Sequence, residues 1–276
     1  APRGVFLDLD VLAAAPKRLI AAGFGDSICR CTAQTDWLLS HFLTGSSYRK
    51  APFALLAEDE AALVASAGAL AKRDRTAIGL LAHTLVMSGF GMTICRGSYP
   101  ASQSEHLIAH YIDMRGRSLP LSYHGEHIAV TTLSVARLQE RMIRRPSITI
   151  RRNGDSLEAF QRTFGPVLGE ACWMSFLPKA VDEARAKRLQ SILDERWPEI
   201  GDCLKDVSRP ATEIEAALRA AGAPTQPSAL GISRAFYREA LLNARKIRDR
   251  FGILDLAELA GELEGFIAEE VAVEEI

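Results

Sequence analysis

"TAIGLLAHTLVMSGFGMTIC", residues 76 to 95, carries no charge between Arg75 and Arg96. Twenty uncharged residues match the length of a bilayer span. The stretch therefore decides between a membrane protein and a soluble bundle built round one central helix. Thr76, His83, Thr84, Ser88 and Thr93 are polar, and Gly79, Gly89 and Gly91 interrupt the apolar run. A helix of this kind suits a protein core better than lipid. The reading is a buried central helix, capped by Asp74 and ending near Ser88 and Gly89, with no membrane span.

The segments on either side also read as helices. Pro16 suits a helix start, and that helix carries Lys17 to Ala22 before Gly23. A second is expected from about Asp26 to Leu43, and a third from Ala51 and Pro52 through Leu70. Residues 100 to 116, "PASQSEHLIAHYIDMRG", offer Ser102 and Glu105 as a capping box and Gly116 as a stop. Pro120 blocks continuation, and a further helix is expected from His124 to about Arg144. "PSITIRR", 146 to 152, reads as extended. Beyond it, Leu189, Ile192, Leu193 and Trp197 recur at helical spacing, among breaks at Pro166, Pro178, Pro198 and Pro210. Only "GVFLDL", 4 to 9, reads as a strand. The fold class is thus mainly α, a helical bundle with one short N-terminal strand.

With 276 residues, 48% of them apolar, the chain can bury a large core. Lysine and arginine (33) balance aspartate and glutamate (34), for a net charge of -1. That balance argues against nucleic acid or an anionic membrane as partner. The five cysteines, Cys29, Cys31, Cys95, Cys172 and Cys203, include no CxxC pair. An odd number without zinc-site spacing fits a reducing, cytoplasmic setting. "GFGDSICR" (23–30) and "GFGMTICR" (89–96) agree at six of eight positions, but their flanks differ. Small residues at helix contacts account for the match without duplication. Asp26 in the first copy is Met92 in the second.

Four of the six histidines, His106, His110, His124 and His127, fall within 22 residues. His106 and His110 are four apart and share a helix face. His124 stands at the start of the next expected helix. Two imidazoles from adjacent helices fill two corners of a tetrahedron, and a divalent ion then calls for a carboxylate and an open position. Asp26, behind Gly23 and Gly25, is a candidate carboxylate; the alternative is a helix N-cap. Glu105 reads as a capping partner. Glu126 either orients the His124 neighbourhood or serves the first helical turn, and His127 reads as a support to His124. Arg30, Arg96, Arg115 and Arg117 are cationic candidates for phosphate. His41 and His83 receive no role.

"APKRLIAAGFGDSICRCTAQTDWLLSHFL" (15–43), "SYPASQSEHLIAHYIDM" (98–114) and "YHGEHIAVTTL" (123–133) together resemble the sn-glycerol-1-phosphate dehydrogenase family. That family belongs to the iron-containing alcohol dehydrogenase and dehydroquinate synthase-like superfamily. "FGPVLGEACWMSFLPKA" (164–180), "RWPEI" (196–200) and "RAAGAPTQPSALGISRAFYREAL" (219–241) are similar to its bacterial branch.

The resemblance implies a metal site made of Asp26, His106 and His124, with His110 as a catalytic residue near the reacting carbon. Relatives with four protein ligands carry a histidine four places after the aspartate; here that position is Arg30. Zinc is the first expectation, with nickel or iron as alternatives. The implied activity is NAD(P)-linked interconversion of sn-glycerol-1-phosphate and dihydroxyacetone phosphate, a phosphorylated triol and ketone. The nucleotide would sit on a Rossmann-like domain whose glycine-rich motif this sequence lacks. Residues 1–9 are then expected to be a strand left from that domain, and 10–276 the helical metal-binding domain. A homo-oligomer is compatible with this reading. A polyol dehydrogenase, a dehydroquinate synthase-like cyclase (disfavoured by aspartate rather than glutamate at 26) and a non-catalytic helical interaction module are the alternatives.

Overall fold

The computed structural model describes residues 4–116, 119–151 and 154–272. Residues 1–3 of the expected strand, Arg117, and Arg152 of the expected extended segment lie outside them. No strand occurs among the described residues. Residues 4–8 form no regular element, and Asp8 caps α1 (Leu9–Ala14) by accepting from Asp10 N at 2.9 Å. The expectation of a buried strand fails here. Phe6 is 97% exposed, and a strand needs a ladder of hydrogen bonds to a neighbour as well as apolar side chains.

α2 (Lys17–Ile28) and α3 (Arg30–Thr44) meet at Cys29. α2 runs through Gly23 and Gly25, so Asp26 lies inside a helix and is not an N-cap. The expected helix 51–70 is three short pieces, α4 (Ala51–Ala54), α5 (Ala57–Ala65) and α6 (Ala67–Ala71). α7 (Arg75–Cys95) starts as expected, with Asp74 Oδ1 accepting from Ala77 N at 3.0 Å. It does not end at Ser88 and Gly89. A helical glycine costs only about 1 kcal/mol against alanine, and Gly91 packs on Pro52, where an added Cβ would come within 3.0 Å. α7 rests on α1, α2, α4, α5 and α6. It is long and apolar enough to cross a membrane by composition alone, and 33% of its most apolar window is buried. Ala77, Ile78, Leu81 and Thr84 face inward, whereas Phe90 and Ile94 are exposed.

α8 (Ser104–Arg115) stops at Gly116, and α9 (His124–Ile143) follows. α9, not α7, is the central helix. It touches α2, α3, α8, α12 and two later helices, and residues 125–136 are buried without a break. Its Val130, Val135, Leu138 and Met142 join one core cluster, while Ala129, Leu133 and Ala136 join the other. The remaining helices are α10 (Leu157–Phe164), α11 (Pro166–Phe176), α12 (Glu183–Val207), α13 (Ala211–Ala221), α14 (Arg234–Asn243), α15 (Ile253–Leu259) and α16 (Leu263–Ala272). α12 passes through Pro198 and buries Leu189, Leu193 and Trp197, as their spacing anticipates. The mainly α expectation holds.

Buried polar contacts also run between the helices. Asp36 on α3 is fully buried and accepts from Gln139 Nε2 (2.8 Å), Ile253 N (3.2 Å) and Ser104 N (3.3 Å), with Ser104 Oγ also bonded to it. One carboxylate thereby ties α3, α8, α9 and α15 together, just ahead of the histidines of α8.

Candidate metal centre

Two glycines bring the candidate ligands into register. A Cβ on Gly25 would lie 2.3 Å from Gly125 O, and one on Gly125 would lie 1.9 Å from Ala22 O. Only bare backbone lets α2 and α9 approach this closely. Asp26 and His124 are the chain neighbours of those two glycines. Arg18 reinforces the approach, donating from Nε (2.6 Å) and Nη2 (2.8 Å) to Glu126 in the first turn of α9. Glu126 Oε2 also accepts from Tyr123 N at 2.8 Å. It therefore serves the helix start and the α2 contact, and touches no candidate ligand directly.

α8 carries the third candidate ligand, His106. The expected Ser102 capping box is absent: the helix begins at Ser104 behind Gln103. Glu105 Oε1 accepts instead from Gln103 N (2.7 Å) and from His106 Nδ1 (3.0 Å), and its Oε2 lies 3.1 Å from Thr32 Oγ1. Burial opposes its ionisation. The hydrogen bond and charge of His106 and the backbone donors outweigh burial and hold Glu105 below the usual carboxylate range. The carboxylate fixes the proton of His106 on Nδ1 and frees Nε2. That Nε2 stands 3.7 Å from Asp26 Oδ1.

One ligand atom from each of Asp26, His106 and His124 lies within 4.8 Å of the other two. A tetrahedral ion with bonds of about 2.0–2.2 Å spaces its donors by roughly 3.4 Å, so small side-chain movements close the set. One carboxylate and two imidazoles match a site with an open fourth position. His106 is mostly buried, while the side chains of Asp26 (40%) and His124 (42%) are part-exposed, so the set opens to solvent from one side. His110 shares that opening; its ring stacks on His124 with centroids 5.4 Å apart and lies 6.0 Å from His106.

Other groups pack round the set. Cys29 is buried, its Sγ contacting Asp26 O at 3.1 Å, and burial pushes its thiol well up, so it stays protonated. Asp113, which no motif marked, faces three histidines; the nearby ring nitrogens of His110, His124 and His127 hold its carboxyl far below the usual range. Its helical spacing of three from His110 is the signal that points to it. Asp113 raises the pKa of His124, with burial opposing and Asp26 adding.

Arg30, in the place of a fourth ligand, turns away to Glu60 and Ser27 and is buried there. Arg96 caps α7 in the left-handed region, and Arg115 pairs with Glu239 at 3.9 Å. His41 and His83 contact Ser46 and Asp59. A cavity of about 720 Å³, lined by Phe24, Arg30, Phe53 and Glu60 among others, includes none of the three candidate ligands.

No family model matches the chain. Among curated proteins, the glycerol-1-phosphate dehydrogenase NAD(P)+ of Geobacillus thermodenitrificans (strain NG80-2) is 30% identical over 257 residues, 92% of this chain and 56% of the relative. The protein of that name from Halalkalibacterium halodurans is 28% identical over 258 residues, with the same coverage. That of Hyperthermus butylicus is 38% identical over 155 residues, 55% of this chain and 43% of the relative. The chain spans about half the length of the curated relatives it matches. Over 92% of its length, the chain is similar to proteins named glycerol-1-phosphate dehydrogenase NAD(P)+.

Proposed function

We propose that the chain is the helical metal-binding part of an NAD(P)-linked dehydrogenase that interconverts sn-glycerol-1-phosphate and dihydroxyacetone phosphate. Asp26, His106 and His124 hold the ion, and His110 is the catalytic residue beside the reacting carbon. One observation carries the reading: ligand atoms from three separate helices converge within 4.8 Å at an opening to solvent. The names of the relatives supply the reaction.

A divalent ion bound there supplies Lewis-acid polarisation of the substrate oxygen. The carboxylate and imidazole donors suit zinc first, with nickel or iron as alternatives. His110, stacked beside His124, is placed to take the proton of the substrate hydroxyl in oxidation and to return it in reduction. Residues 10–276 form this domain, and the nucleotide binds through a Rossmann-like domain to which residues 1–9 lead. The five cysteines are all free, which fits a cytoplasmic enzyme.

Metal analysis tests the proposal. The purified chain is expected to hold one divalent ion, lost in Asp26→Ala and His124→Ala variants. A wild-type chain that takes up none from zinc, nickel or ferrous solutions overturns it. Joined to a nucleotide-binding domain, the chain is expected to reduce dihydroxyacetone phosphate with NADH or NADPH, and a chelator to abolish the reaction.

A further inference from the structure

His106, His110 and Asp113 follow one another on one face of α8. The rings of His124 and His127, one turn apart on α9, lean towards the same carboxylate. His127 Nδ1 stands 3.0 Å from Asp113 Oδ1, and its Nε2 stands 2.7 Å from Ser122 Oγ. An ionised carboxylate only accepts, so His127 carries its proton on Nδ1 and receives the Ser122 hydroxyl at Nε2. The His127 side chain is 6% exposed, and this chain of bonds anchors Oδ1. The other oxygen then has a fixed direction. Asp113 Oδ2 lies 3.6 Å from His124 Nδ1 and 3.9 Å from His110 Nδ1.

We propose that Asp113, anchored through His127 and Ser122, is the positioning residue that sets the ring orientation of both His124 and His110. This rests on the metal reading above for what His124 does, but not for how its ring is held. The two distances exceed hydrogen-bond length. A carboxylate that near still favours the proton on the facing nitrogen, and such contacts shorten once the site is filled. With the proton on Nδ1, each ring offers Nε2 as its free nitrogen. For His124 that nitrogen serves the ion, as it does for His106, whose Nδ1 is held by Glu105. For His110 it is the nitrogen left to exchange a proton with substrate. One oxygen thus orients two stacked rings with different tasks, which explains why α8 places an acid three residues past His110.

Asp113→Asn tests the proposal. The side chain is 46% exposed, so the fold is expected to survive, and thermal unfolding of the metal-free variant checks that. Two readouts are used on the 276-residue chain. Imidazole nitrogen NMR at alkaline pH, without metal, reports the tautomer of each histidine. Competition against a chelating dye reports the affinity for Zn²⁺ alone. In the variant, His110 and His124 are expected to lose their Nδ1-protonated population, and Zn²⁺ to bind about 10–100-fold more weakly. Ser122→Ala is expected to move both readouts in the same direction by less. Tautomers unchanged in Asp113→Asn overturn the proposal, whether or not metal binds. Altered tautomers with wild-type Zn²⁺ affinity overturn its claim on the metal site. A wild-type chain that binds no metal, but whose tautomers shift in the variant, upholds the role of Asp113 and defeats the proposed function instead.

Discussion

Gly125 has less room for a Cβ than any other described glycine. Its missing side chain would sit 1.9 Å from the Ala22 carbonyl. Gly125→Ala must push α9 away from α2, and with it His124 from Asp26. Overpacking of this kind costs about 1–3 kcal/mol, and the larger effect is expected on metal uptake. Gly68→Ala, in α6 with nothing within 4 Å of an added Cβ, is the control. It is expected to stabilise by up to about 1 kcal/mol. Urea unfolding with metal analysis separates the two, and a Gly125→Ala variant with full stability and full metal content would refute the close-approach argument.

Asp36 makes a second residue-scale case. Burial pushes its carboxyl up to about 7 although several donors oppose the shift, against an ordinary value of 3.8. The folded state therefore holds a proton over roughly pH 4–7 that the unfolded chain releases. Stability due to Asp36 is present at the acid end and is lost as pH rises through that window. The stability of wild type minus that of Asp36→Asn is expected to fall between pH 4 and pH 7; a flat difference sinks the argument. Neither behaviour was legible beforehand. A glycine or an aspartate within a helical stretch looks the same in sequence whether or not another backbone or a buried bond lies against it. Glu105 shows the same limit: its spacing from Ser102 spelled a cap, and its real partners, Thr32 and the ring of His106, required knowing where α3 passes.

The helices themselves could be read, but their rank could not. α7 is the most conspicuous apolar stretch, yet its second half is mostly only half-buried, with Phe90 and Ile94 exposed. α9, dotted with Thr131, Ser134 and Gln139, is the buried axis. Polar residues can line a central helix when hydrogen bonds satisfy them; Gln139 Nε2, for example, donates to Thr32 O at 3.0 Å and to Asp36. Hydrophobic content tracks burial only loosely, so the longest apolar run was given the centre. A pair of truncations distinguishes the two assignments. Leu133→Ala on α9, where the side chain is fully buried, is expected to cost about 2–5 kcal/mol. Phe90→Ala on α7 removes a larger side chain that is 54% exposed, and is expected to stay within about 0.5 kcal/mol. Denaturant midpoints in the reverse order would place the Phe90 end of α7 in the core.

At the scale of the whole molecule, the candidate site sits where the two hydrophobic clusters meet. α2 belongs to one cluster, α8 to the other, and α9 to both. The three candidate ligand positions stand out in sequence because their motifs occur in order along the chain. Their convergence does not, since it depends on Gly25 and Gly125 lying against the facing helix. An ion bound by Asp26, His106 and His124 adds a cross-link among helices that already meet through packing and through the Arg18–Glu126 and His127–Asp113 contacts. It binds the folded chain and finds no assembled site in the unfolded one, so it must stabilise by mass action, by about 2.7 kcal/mol at a hundredfold excess over Kd. Zn²⁺ is therefore expected to raise the unfolding temperature in proportion to the logarithm of its concentration, and a chelator to reverse the rise. Asp26→Ala should unfold at a temperature indifferent to Zn²⁺. Because the bond set joins the two clusters, the metal-free chain is expected to show broader unfolding than the loaded one, with fluorescence of Trp173 and Trp197 reporting the cluster that holds α8. A melting temperature of wild type that ignores Zn²⁺ and chelator alike would mean that α2, α8 and α9 do not share an ion at all.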